Sequence, residues 1–450
     1  MTHFLKTIRP ILGVPPMQNT QRLRKSDKVF YGLGRLGSTT LLSVFSLATY
    51  YLYDKVYSVD PVLNGIANAL GKLSIAVSSF VMGYISDRTI HPRLGRRKPF
   101  ILSGSIFLAI SFVMLYIPEL LIDTSAMFTL FIWEAIWASG FNFFYGYLLT
   151  PYQAWLPEIT MPDERVEVSG YENLFNLIGN IIGMGGSFAL PFIIMYKREI
   201  WYELIIVLSI VEILCYLPAY LRIREPEVYI KQPNIIKELR IVISNRNYIL
   251  WIFSRGILSV GVIMVTTLIM KFLEQYLQFM GIQYLTVALG VMVVIMVFFF
   301  IWQIISKKYR VKKSMYFSLG ILGISLMLLY TLDFLSPPLK QTAGLFLLVL
   351  GAIGLSGYWL FNYVILANII EGDTLITGES RAGIYTGFDG IILNIWQATA
   401  YVITGYVDKI YPVSTSALWG LVAGISVIVG LLIFRYVDPE PHLTIKGKTS

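Results

Sequence analysis

Apolar residues run through this chain in stretches of about twenty or more, separated by short polar connections, and that is the length a helix needs to cross the hydrocarbon core of a bilayer. Twelve such stretches occur, over 29–53, 61–86, 99–119, 126–150, 169–196, 201–221, 248–272, 284–306, 315–333, 342–368, 383–408 and 416–437. The longest polar interruption, Arg222 to Asn247, falls between the sixth and seventh and divides the spans into two sets of six. The pattern predicts an all-α membrane protein of two six-helix bundles around a midplane site. Its expected parts are a tail over 1–28, bundles over 29–221 and 248–437, a linker over 222–247 and a second tail over 438–450.

Charge gives the spans a direction. Lys and Arg gather in Arg22 to Lys28, Arg88 to Lys98, Arg222 to Arg246 and Lys307 to Lys313. All four clusters fall on one side when the helices alternate, and the positive-inside rule makes that side cytoplasmic, with both termini on it. The net charge of +9 is therefore a statement about topology in an inner or plasma membrane, not a footprint for nucleic acid. Composition agrees, with 56% apolar and 14% charged residues and a mean hydropathy of +0.66. Met1 to Lys28 has no apolar core and cleavage site, so it reads as a retained tail. The lone Cys215 cannot form an intrachain disulfide, and His3, His91 and His442 lie in tails or loops, so no metal centre or cofactor is expected. Trp201, Trp251 and Trp419, near span ends, read as interface-belt residues. The expected surroundings are lipid, and the expected working unit is a monomer.

Ionisable side chains inside a span usually face a protein interior or a water-filled cavity, because lipid does not solvate them. Those found are Arg35, Lys72, Glu134, Glu172 and Asp389, with Glu212 and Arg255 beside them. Arg35 and Glu172 lie near span ends, where a side chain can reach the interface; Lys72, Glu134 and Asp389 lie deeper. Around them are groups suited to a hydroxylated ligand: Asn142, Tyr145, Gln153, Trp155, Asn176, Trp359, Asn362 and Asn394. Each amide offers a donor and an acceptor, and a flat ring can stack on the apolar face of a sugar. Such residues also hold membrane helices together, as does the Gly179-Asn180-Ile-Ile-Gly183-Met-Gly185-Gly186 run.

One loop carries a narrower signal: Gly83-Tyr-Ile-Ser-Asp87-Arg88-Thr-Ile-His-Pro-Arg93-Leu-Gly95-Arg96-Arg97-Lys98-Pro99-Phe100. Gly83 permits close helix approach, Asp87 ends the apolar run, and Gly95 permits a tight turn before the arginines. The order resembles the loop between the second and third helices of major facilitator transporters. Its spacing is similar to that of the glycoside-pentoside-hexuronide cation symporters and the plant sucrose symporters. Tyr31-Gly-Leu-Gly34, Pro151-Tyr-Gln-Ala-Trp155-Leu-Pro157-Glu158 and Glu371-Gly-Asp373 through Gly383 resemble further stretches of the melibiose-type symporters, in the same order. Leu174-Phe175 with Gly179-Asn180-Ile-Ile-Gly183 is similar to the fifth helix of the sucrose symporters. A basic echo, Ser306 to Lys313, follows the eighth span.

The resemblance implies a major facilitator fold and secondary transport of a sugar or glycoside by alternating access. The family's two cation-binding aspartates of helix II fall on Ile75 and Ser79, its aspartates of helices I and IV on Thr39 and Leu149, a family arginine on Glu172, and a family lysine on Asn394. Sodium needs hard oxygen ligands, so proton-coupled or uncoupled transport is expected instead, with Glu134, Glu172 or Asp389 as proton sites. Lys72 is expected to pair with Glu172 or Glu134. Gly83, Asp87, Arg88, Gly95, Arg96 and Arg97 are expected to form a cytoplasmic gate that holds when the cavity faces outward. The rivals are a uniporter or exporter of another small solute and a polytopic membrane transferase. For the transferase the nearest constellation, Glu371-Gly-Asp373, lacks a histidine or a phosphate-cradling glycine run.

Overall fold

The structure, a computed structural model, describes residues 22–89, 94–161, 163–225, 235–378 and 381–441. The expected tails lie largely outside these residues, as do His3, His91, Arg93, His442 and much of the linker. The described chain forms α1 (Lys25–Tyr51), α2 (Pro61–Arg88), α3 (Lys98–Tyr116), α4 (Met127–Ile159), α5 (Arg165–Tyr196) and α6 (Arg198–Arg222). A ten-residue helix, α7 (Ile235–Ser244), lies in the linker, followed by α8 (Arg246–Lys271), α9 (Gly281–Leu329), α10 (Pro337–Thr377), α11 (Ala382–Ile410) and α12 (Leu418–Phe434). The eighth and ninth spans are both in α9, which breaks at Arg310, where φ is 65° and ψ is 156°.

Local chemistry sets several of these boundaries. Asp60 caps α2 by accepting from the Val62 amide at 2.9 Å, with Pro61 in the first turn, and Asn245 caps α8 by accepting from the Tyr248 amide at 3.2 Å. Among the described residues, eight helices are long and apolar enough to cross a membrane. The apolar α12 has 17 residues, and α1 and α11 are diluted by polar positions, among them the buried Ser38, Thr39, Asp389 and Asp408.

In the first bundle α1 packs on α5 and α6, and α4 on α2 and α3. In the second, α8 packs on α11 and α12, and α9 on α10 and α12. Glycine sets the α1–α5 distance: a Cβ at Gly179 or Gly183 would lie 2.5 Å from the carbonyl oxygen of Leu36 or Thr40, while Gly185 and Gly186 meet nothing within 4 Å. Trp201, Trp251 and Trp419 are not belt residues. They are at most 2% exposed, because each ring fills a helix crossing and packs on Tyr116, Phe434 or Phe272.

The bundles meet chiefly through α2 and α11, with α1 against α8. Near the Pro61 end the fit is tight: a Cβ at Gly65 would meet the Tyr401 carbonyl at 2.5 Å, and one at Gly405 the Pro61 carbonyl at 2.4 Å. Towards the other end of the same helices the fit is lost. Gly383, Gly387 and Gly390 of α11 have nothing within 4 Å, and Gly83 of α2 has only Thr150 at 3.7 Å. The bundles are closed at one end and parted at the end that carries the basic loops.

A candidate translocation site and its closures

In the first bundle, four expected site residues from two separate expectations come together. Arg35 on α1 lies 3.6 Å from Glu172 and 3.5 Å from the Asn176 side-chain oxygen, both on α5, and Tyr145 on α4 faces its guanidinium. Asn176 also accepts from Thr39 at 2.7 Å. Arg35 Nε and Nη1 are enclosed without a hydrogen-bond partner, so the cluster is incompletely satisfied. Glu212 on α6 is fully buried against Gly37 of α1, with both carboxyl oxygens unpartnered.

The second bundle offers a buried pair, Arg255 on α8 with Asp389 on α11. Asp389 Oδ1 and Arg255 Nε remain unpartnered beside it, as does Asn362 Oδ1 on α10. Asn394 donates to its own helix at Gly390, 2.8 Å. Trp359 lines an apolar cavity with Leu47, Phe188, Ile269 and Leu355, between the bundles.

Other placements differ from expectation. Trp155 is 0% exposed and packs on Tyr31, so a solute cannot stack on it in this arrangement. Asn142, also 0% exposed, fills the α2–α4 contact at Gly71 and bonds its own helix. Gln153 is exposed on α4. Lys72 meets neither expected partner. Glu134 accepts from Asn68 at 2.9 Å, Glu172 belongs to Arg35, and no acid among the described residues pairs with Lys72.

The expected gate is an assembly within the first bundle. Arg97 is buried and holds Asp87 of α2, Ser86 at 2.5 Å and Glu158 of α4 at 2.8 Å, and Arg96 reaches Glu158 at 2.5 Å. Arg88 instead lies over the Tyr84 ring at 3.6 Å. Gly95 adopts φ +82°, which allows the turn, and the Arg97 and Lys98 amides donate to Glu225 at 2.6 and 3.3 Å. Burial pushes the Glu225 carboxyl pKa up against those amides. Glu158 and Ser86 fall inside the quoted family stretches without an expected role, and Glu225, an acid near a span end, reads in the sequence as ordinary loop charge.

The opposite closure was missed altogether. Lys271 at the end of α8 lies 2.8 Å from Asp54, beyond α1, and 2.5 Å from Asp408 on α11. Tyr50 donates to Asp408 at 3.1 Å, Tyr51 to Glu274 at 2.6 Å, and Lys409 pairs with Asp60 at 2.8 Å. Burial opposes the Asp60 carboxylate, but Lys409 and the Val62 amide outweigh it and hold its pKa below the ordinary value. All of these side-chain contacts but Lys271–Asp408 join the bundles.

The closure also contains a repeat. The π-turns Leu52–Val56 and Phe272–Tyr276, the positive-φ residues Ser58 and Gln278, and the helix starts Pro61 and Gly281 are each separated by 220 positions. Under the same offset Asp54 corresponds to Glu274 and Tyr51 to Lys271. The two bundles therefore bridge each other reciprocally: each acid binds the residue that precedes its counterpart by three positions. Only a weak shared spacing, Tyr51 to Asp54 and Lys271 to Glu274, marks this in the sequence.

Comparison with known proteins agrees with the geometry. The chain is 28% identical over 169 residues to an uncharacterized symporter of Synechocystis sp., covering 37% of this chain and 31% of that protein. It is 27% identical over 169 residues to a protein of Escherichia coli (strain K12) named as a sulfoquinovose importer, covering 36% and 34%. The matches thus span about a third of the length of these curated relatives. The fold is that of the xylose transporter from E. coli in its inward-open conformation, with a TM-score of 0.67, 14% identity, and 93% and 99% of the two chains covered. The family described as MFS/sugar transport protein matches residues 30–435, and the chain belongs to that family, as a multi-pass membrane protein.

Proposed function

We propose that this protein is a secondary transporter that carries a sugar or glycoside by alternating access. The observation that carries this is the split α2–α11 contact, sealed by the inter-bundle ion pairs Lys271–Asp54 and Lys409–Asp60 at one end and parted at the other, with incompletely satisfied polar groups between. The basic loops flank the parted end, so by the positive-inside rule it faces the cytoplasm and this is the inward-open state of a plasma-membrane carrier. Family membership and the relative named for sulfoquinovose import support a sugar-type substrate.

Tyr145, Asn176 and Arg35 from one bundle, with Asn362, Trp359 and Asn394 from the other, are the proposed substrate contacts. Asn142 and Trp155 are left out. Glu172 and Asp389 each share a bond with an arginine that a proton could break, so proton coupling is favoured over sodium, whose family aspartates are absent here. The Asp87–Arg97–Glu158 assembly keeps the cytoplasmic ends of α2, α3 and α4 together while the bundle moves as one body, and the working unit is a monomer.

The test is uptake of labelled sugars and glycosides by proteoliposomes, with imposed proton or sodium gradients. Uptake that rises with an inward proton gradient supports the reading; equal uptake without one makes the protein a uniporter. Failure to move any glycoside, with turnover of one in detergent, would make it a transferase.

A further inference from the structure

We propose that Lys72 selects the charge of the substrate, and that the substrate carries an anionic group, a carboxylate or sulfonate, on a sugar-sized body; this rests on the transporter reading above. Lys72 is 8% exposed and sits eleven positions inside α2, which puts its backbone about 16 Å from the closed end. An ammonium there needs an acceptor or water, since lipid supplies neither. The acids of the spans meet other groups: Glu134 accepts from Asn68 through one oxygen and keeps the other unpartnered, Glu172 pairs with Arg35, Asp389 with Arg255, and Asp54 and Asp408 with Lys271. Glu212, on α6, is buried against Gly37 of α1.

The ammonium is not sealed off. Arg35 Nε, Arg35 Nη1 and Arg255 Nε are among the enclosed atoms without a hydrogen-bond partner, and Lys72 Nζ, which also has none, is not among them. It therefore touches accessible space. The antiparallel register set by Gly65 at Tyr401 and Gly405 at Pro61 puts position 72 level with Asn394, where the α2–α11 contact gives out above the free Gly390. Lys72 thus lies at the ceiling of the opening.

About two helical turns lower, roughly 10 Å, is the level of Ser79, against which Gly146 packs beside Tyr145. Tyr145 faces Arg35, with its unsatisfied N–H groups, and Asn176 joins them. One end of a sugar acid bonded to Lys72 would bring its hydroxyls down to that cluster. An empty carrier that closed its open end would bury the ammonium unpaired, whereas a bound anion neutralises it, so the loaded carrier closes more readily. Arg35, Arg255 and Lys271 each have an acid partner, and Lys72 has none.

The experiment is counterflow in proteoliposomes without ion gradients, with labelled methyl glucoside, methyl glucuronide and the 6-sulfo analogue of methyl glucoside. The wild type should prefer at least one anionic probe over the neutral one by about tenfold or more, and Lys72→Met should lower that ratio by a similar factor. Lys72→Arg, which keeps the charge, should hold the ratio and show that the position tolerates replacement. Which anion is preferred separates carboxylate from sulfonate. Neutral glucoside carried as well as both anions, with the ratio unmoved in Lys72→Met, overturns the inference and leaves the transporter reading standing. Transport of none of the three overturns both.

Discussion

Lys271 makes the clearest demand at the scale of single residues. It neutralises Asp408, whose side chain is wholly buried, and reaches across to Asp54 of the other bundle. Lys271→Met removes the cation and keeps the volume, leaving Asp408 without a charge partner; the closed end should lose about 3 to 5 kcal/mol. Thermal unfolding of the detergent-solubilised protein should show the loss. Gly95 makes a different demand. Its φ of +82° disfavours any side chain, and a Cβ there would lie 2.5 Å from Glu225 Oε2. Gly95→Ala should cost about 1 to 2 kcal/mol and release Glu225 from the Arg97 amide, seen as earlier protease cleavage of the basic loop. Gly95 was legible in the sequence because a glycine before three basic residues has one obvious use. Lys271 and Asp54 were not, because a charge at a span end looks the same whether it meets solvent or another helix.

The helices themselves were the legible part of the fold, since twenty apolar residues in a row leave the backbone few alternatives. What the pattern could not supply was where each helix touches its neighbour. Asn142, Tyr145, Trp155 and Asn176 look alike as polar or aromatic positions in a span. Rotation about the helix axis sends Tyr145 to Arg35 and Trp155 to Tyr31, and that rotation is decided by packing. Gly83 shows a related limit. Its sequence context suggests close approach, yet in this state a Cβ would meet only Thr150 at 3.7 Å. Its closeness belongs to the other state. Gly83→Leu should therefore fold normally, within about 1 kcal/mol of the wild type, but hold the cytoplasmic end open. Transport should fall several-fold while a thiol reagent applied from the cytoplasmic side labels cysteines placed in the cavity faster than in the wild type.

For the whole molecule, the two closures are unequal partners. The Asp87–Arg97–Glu158 assembly lies inside one bundle and can persist through the proposed transport cycle, whereas the Lys271–Asp54, Tyr51 and Lys409 contacts join bundles and would have to break for the proposed outward-facing state. Spin labels at the exposed Ser58 and Gln278 should report this directly. In the wild type their separation should be dominated by one short distance, and in Lys271→Met a longer population should grow as labels at the cytoplasmic ends draw together. Both populations unchanged in the variant would mean that Lys271 does not govern the equilibrium.

The reciprocal bridge gives the bundles the contact that two identical subunits make across a dyad, where each copy lends the other the same surface. The two arms are chemically unequal. One arm is an ammonium held by two carboxylates, and the other is a tyrosine hydroxyl on one carboxylate, the weaker kind of bond. A door fastened unequally on its two sides does not lift away evenly: under the proposed alternating access the Tyr51–Glu274 side is expected to yield first and the lysine side last. The rocking motion then has a handedness that the pseudo-symmetric fold alone does not impose.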